Sequence, residues 1–168
     1  MRWLGAVLLA VSVSSVGFLQ TRALALRRRE LERMRLFAGE IAGKIRLGRM
    51  EAERILCLLA EEEPLRGWPF LVLFCEGAGS GDFRGAFAKA VERYGQACPL
   101  PEADLARLGA FGAALGSGDL EEELRRCACF EETLEAKIRE TEEALQKKAP
   151  LYQTLWCCIG VLGGIFLL

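Results

Sequence analysis

Two runs of three glutamates, Glu61 to Glu63 and Glu121 to Glu123, and seven cysteines are the side chains whose types could do chemistry here. Paired carboxylates serve acid–base catalysis when they face each other across a cleft, as in glycoside hydrolysis. Each glutamate run instead sits at the end of a helical pattern, where solvated acids collect, and no spacing sets one carboxylate against another. The cysteines stand at 57, 75, 98, 127, 129, 157 and 158. An odd number, with two inside a C-terminal apolar stretch, fits neither a disulfide framework nor a zinc site, so reduced thiols are expected. Cys127 and Cys129 are two apart on a helix; they point to roughly opposite sides and cannot share a metal there. With no histidine in the chain, the usual base for a Ser or Cys nucleophile and the commonest zinc ligand besides Cys are missing. The glycine-rich stretch from Gly77 to Gly81 invites comparison with a phosphate-binding loop. It ends in Asp82 rather than Gly-Lys-Ser/Thr and follows no strand, so it reads as a helix-breaking turn. Catalytic, cofactor-binding and metal-binding residues are therefore expected to be absent.

The elements that carry these residues divide the 168-residue chain into three parts. Residues 1–21 and 149–168 form apolar ends, and residues 22–148 a charged middle large enough for a compact helical bundle. Trp3 to Leu19 carries no charge and sits near the lower length limit for crossing a bilayer; snorkelling of Arg22 extends it through Thr21. Leu151 to Leu168 supplies 18 residues, with Tyr152 and Trp156 placed as an interfacial belt would hold them. Arg22, Arg27, Arg28 and Arg29 follow the first segment, and Lys147 and Lys148 precede the second. Cytoplasmic flanks are enriched in such residues, so the middle is expected in the cytoplasm and both termini outside. A cleaved signal peptide is the competing reading, from Ala23-Leu24-Ala25, but Arg22 intrudes on that site and three arginines after the cut oppose translocation.

Leu31, Met34, Phe37, Ile41 and Ile45 recur at helical spacing and predict that the first membrane helix continues as a stem to about Arg46. Further helices are predicted over Glu51 to Glu62, stopped by Pro64, then over Trp68 to Cys75, Phe83 to Tyr94 and Pro101 to Leu115. After Gly116-Ser117-Gly118, Asp119 with Glu122 makes an acidic capping box for a long final helix over residues 119–148. Its apolar or near-neutral residues at 120, 124, 127, 134, 138, 141 and 145 form a seam interrupted by Glu131, expected to pack on the stem. In the membrane segments Ala6, Ala10, Ser14 and Gly17, and Gly160 with Gly164, are small-residue stripes of the kind that lets helices approach closely in lipid.

Charge is uneven along the chain. Arg22 to Arg35 holds six Arg and two Glu, net +4, whereas Asp119 to Lys148 holds ten acidic and six basic residues, net −4, within an overall −1. That balance argues against nucleic acid as a partner. The acidic positions Asp119, Glu121, Glu122 and Glu123, with Glu61, Glu62 and Glu63, are candidate partner-docking residues, since charge steers encounter.

The order of parts resembles the stage III sporulation protein AB family nearly end to end. The likeness rests on the opening apolar segment with its basic stem, on Leu115-Gly116-Ser117-Gly118-Asp119 with Glu121, and on Leu151-Tyr152 leading to Gly160-Val161-Leu162-Gly163-Gly164. Gly118 stands where the family usually has Ser or Thr, Glu123 where it has Gln, and the turn at Gly48 lacks a following Thr-Pro. The resemblance implies an all-α fold: a cytoplasmic bundle like that of type II secretion system F platform proteins, between two transmembrane helices. It also implies a non-enzymatic platform, without cofactor, in the channel complex between mother cell and forespore. The implied partners are other membrane proteins of that channel and a cytoplasmic secretion-type ATPase, and the implied location is the mother-cell membrane; the apolar ends add membrane lipid, and the seam of the final helix leaves pairing with a further copy of the chain as an alternative use. A membrane-anchored helical adaptor or regulator unconnected with secretion would use the same anchors and seam.

Overall fold

Apolar side chains at Leu31, Met34, Phe37, Ala38, Ile41 and Ala42 return every three or four residues and lie on one buried helical stripe. That stripe belongs to α1, Arg2–Leu47, the first of six helices among the described residues of the computed structural model. The others are α2 (Ala52–Glu61), α3 (Pro69–Gly77), α4 (Phe83–Ala97), α5 (Glu102–Ala114) and α6 (Leu120–Ile165). The structure describes the backbone of residues 2–48, 51–79, 81–98 and 100–165, and side-chain surroundings within 22–147 of these. Among the described residues there is no strand, so the fold is all-α.

The predicted stem is continuous with the helix before it, and α6 likewise runs unbroken through Pro150. Boundaries elsewhere shift by one to three residues for local reasons. Pro69 takes the first turn of α3, where a missing N–H costs nothing, and leaves Trp68 as the residue before it. Asp82 caps α4 by accepting from the Gly85 N–H at 2.9 Å. Gly116, at φ +78°, takes the left-handed turn that ends α5.

Two compact units are present, one made of residues up to Arg28 with those from Ile138 onward, the other of Arg29–Lys137. The second contains an aromatic core. Phe37 meets Trp68, Phe70 and Phe111 edge-on with centroids 5.5, 5.8 and 6.3 Å apart, and Phe111 stacks on Phe130 at 4.4 Å. Each such pair contributes about 0.5–1.5 kcal/mol beyond area burial. A Cβ at Gly112 would fall on the ring of Phe87, so the missing side chain is what lets α5 approach α4. The acidic break in the seam also has an explanation: Glu131 lies over Gly39 of α1, where a Cβ would come within 3.1 Å of its Oε1. In the first unit Arg28 of α1 pairs with Glu142 of α6 at 2.7 Å.

Among the described residues no helix is long and apolar enough to cross a membrane. The segments expected to cross, Trp3 to Leu19 and Leu151 to Leu168, lie outside the residues whose side chains are described. So do the stripes formed by Ala6, Ala10, Ser14, Gly17, Gly160 and Gly164.

Candidate partner-docking surface

The start of α6 is built from its own acids. Asp119 Oδ1 accepts from the Glu122 N–H at 2.8 Å, the first arm of the predicted capping box. The second arm is not Glu122. Glu123 reaches back instead, its Oε1 accepting from the N–H groups of Ser117 at 3.1 Å and Gly118 at 2.9 Å. Glu122 turns to Arg126, which meets it at 2.7 Å and also donates to the Ala114 carbonyl and the Ser117 hydroxyl. Glu123 and Arg126 thus clamp the loop between α5 and α6 from one turn of helix.

The three glutamates of this run have different surroundings. Glu121 is exposed and Glu122 is partly so, whereas Glu123 keeps only 6 % of its surface. Its Oε1 is 3.4 Å from Arg126, and its Oε2 is buried without a hydrogen-bond partner. Leaving a buried acceptor unpaired costs roughly 1–3 kcal/mol, more when it is charged. Glu123 lines a cleft of about 400 Å³ whose other walls are Ile41 and Ile45 of α1, Ile55 and Leu56 of α2, and Leu115 and Leu120.

Glu61, Glu62 and Glu63 are all exposed at the far end of α2, where Glu62 pairs with Lys44 of α1 at 2.5 Å. A Cβ at Gly116 would lie 3.9 Å from that of Ala52, so the α5–α6 loop adjoins the start of α2. The two glutamate runs therefore stand at opposite ends of a ten-residue helix, about 15 Å of rise apart. The structure does not bring them together into one site.

Two polar clusters escaped the sequence reading. Trp68 Nε1 donates to Glu30 Oε2 at 3.1 Å and to the Tyr94 hydroxyl at 3.2 Å, while that hydroxyl donates to the same Glu30 oxygen at 2.5 Å. This network joins α1, the residue before α3, and α4 across up to 64 residues of sequence. Burial, with the Cys98 and Glu30 contacts behind it, pushes the Tyr94 hydroxyl well above its ordinary value. Cys57 and Cys75 bring their sulfurs to 3.4 Å across α2 and α3. Burial first, then Cys57, raises the Cys75 thiol to about 12. Burial likewise holds Cys127 at about 11, whereas Cys129 is exposed. Among the described residues no group of His, Cys, Asp and Glu is gathered closely enough to hold a metal ion.

An all-α chain with a glycine turn and an acid-capped long helix can be compared with known proteins. The family model for stage III sporulation protein AB matches residues 2–168. The chain belongs to that family. A solved structure of stage III sporulation protein AB (SpoIIIAB) is similar in fold, with a TM-score of 0.61 at 18 % identity over 72 % of this chain and 97 % of that one. No curated protein matches the chain. Membership of the stage III sporulation protein AB family gives it a role connected with sporulation. The clamp of Glu123 and Arg126 adjoins the Leu115–Asp119 segment on which the sequence resemblance rests.

Proposed function

We propose that this chain is a non-enzymatic platform of the sporulation channel between mother cell and forespore, linking a cytoplasmic secretion-type ATPase to the membrane channel. Family membership over nearly the whole chain is the observation that carries this reading. The helical bundle supports it too, because α1 and α6 each continue without a break from the aromatic core into an apolar terminal segment. The terminal segments are proposed to cross the mother-cell membrane, leaving the bundle in the cytoplasm; basic residues at both roots favour that side.

The acidic residues exposed to a partner are Asp119 and Glu121, with Glu122 partly so, at one end of α2 and Glu61 to Glu63 at the other. Reversing the charge of Glu121 and Glu122 should weaken co-purification of the ATPase while leaving the helical content of the chain unchanged; undiminished recovery would remove that surface from consideration. Deletion of the gene should arrest spore development after engulfment has begun. Normal spores from the deletion strain would sink the assignment as a whole. Recovery of a signalling protein instead of channel components would favour a membrane-anchored adaptor.

A further inference from the structure

We infer that the cleft between the end of α1, the start of α2 and the start of α6 is a docking pocket for a basic side chain, an arginine or lysine with apolar neighbours, on a partner polypeptide. Glu123 is the observation that points to an occupant. One of its carboxylate oxygens is used by two amides and Arg126, and the other is buried with no partner, in a residue that lines the cleft. Arg126 does not meet this need, since its guanidinium is held by the Ala114 carbonyl, the Ser117 hydroxyl and Glu122. A rotation of the Glu123 carboxylate would present the remaining oxygen to an N–H donor entering the cleft.

The walls define the rest of the occupant. Ile41, Ile45, Ile55 and Leu56 are aliphatic, and the stems of arginine and lysine bury along such surface while the charged head finds its acceptor. Asp119, which is exposed, adds a second negative charge to the lining. A volume of about 400 Å³ exceeds what one side chain fills. Around it Leu120 leaves 55 % of its surface to solvent, and Leu47, next to lining residue Gly48, leaves 88 %. A small free cation would leave both leucines wet, whereas a polypeptide that inserts a basic residue covers them with its neighbours. The inference stands whichever assembly the chain serves.

The test uses the full chain, isotopically labelled in detergent micelles, and follows the amide signals of Gly48, Gly116 and Gly118. The probe is the capped peptide Ala-Leu-Arg-Leu-Ala, compared with the same peptide carrying neutral citrulline for arginine and with butylguanidinium. Saturable shifts are expected, at least about tenfold weaker with the citrulline peptide and with butylguanidinium. Glu123→Gln should lose about tenfold or more, and Glu121→Gln should stay within about twofold. Ala52→Leu, which narrows the cleft without touching the carboxylate, should also abolish binding and keeps the test decisive if Glu123→Gln unfolds. Non-saturating shifts, equal binding of the citrulline peptide, or insensitivity to both Glu123→Gln and Ala52→Leu would overturn the proposal. Butylguanidinium binding as tightly as the peptide would overturn the docking assignment in favour of a free organic cation.

Discussion

Burial at single side chains sets much of the chemistry this protein would show in solution. Thiolate is the reactive form of cysteine, so Cys75 near 12 and Cys127 near 11 should be slow toward iodoacetamide at pH 8, while exposed Cys129 reacts. Raising the pH from about 8 to about 10 should speed modification of Cys127, as its thiolate fraction rises. Peptide mass spectrometry would read this, and rapid alkylation of Cys127 at pH 8 would contradict its burial. The Glu30–Trp68–Tyr94 network makes a second residue-scale prediction. Tyr94 titrates higher in the folded chain than its ordinary 10.0, so the folded state holds its proton after the unfolded state has released it. The stability from that hydroxyl is therefore complete below about pH 10 and is lost above it. Thermal unfolding should show the decline, and Tyr94→Phe should shallow it. Glu30→Ala should cost more than Tyr94→Phe, since it removes the acceptor shared by the Trp68 and Tyr94 donors.

Helices and their turns carry the next set of consequences. Gly112→Ala would drive a methyl into the Phe87 ring and should cost about 1–3 kcal/mol by overpacking. Gly116→Ala forces a left-handed φ on an L residue at a cost of about 1–2 kcal/mol. Urea unfolding of the two variants would check both, and full stability of either would mean that the turn or the α4–α5 contact relaxes. These positions also show where sequence is informative about this fold. Pro64, the Gly116–Gly118 break and the 31, 34, 37, 41 spacing are local signals, and the helices they predict are present within a few residues. The Trp68 partners lie 38 and 26 residues away in sequence, and nothing local pairs them. Three consecutive glutamates likewise read as one solvated run. Only when Ser117 and Gly118 turn back over α6 do their N–H groups capture Glu123 and bury it. The Arg126 clamp was within reach, at three and four residues from Glu123 and Glu122, a spacing that faces side chains together on any helix.

At the scale of the whole molecule, the aromatic core among the described residues lies within Arg29–Lys137. A fragment spanning residues 22–147 should therefore stay in solution, keep its helical circular dichroism and melt cooperatively; precipitation on removing the ends would mean that they complete the fold. Membrane placement is checked by a reporter inserted between Cys98 and Leu100, which should be active only on the cytoplasmic face. The two long helices also differ in a mechanical respect. Both are 46 residues and unbroken, yet α1 contains no proline while α6 runs through Pro150. A proline ring removes the N–H that would tie that turn to the carbonyl four residues back. In α1 every backbone donor beyond the first turn can couple one residue to the next, which makes it a strut. α6 lacks one such tie at Pro150. Pro150→Ala restores that donor and should leave the melting temperature of the bundle where it was.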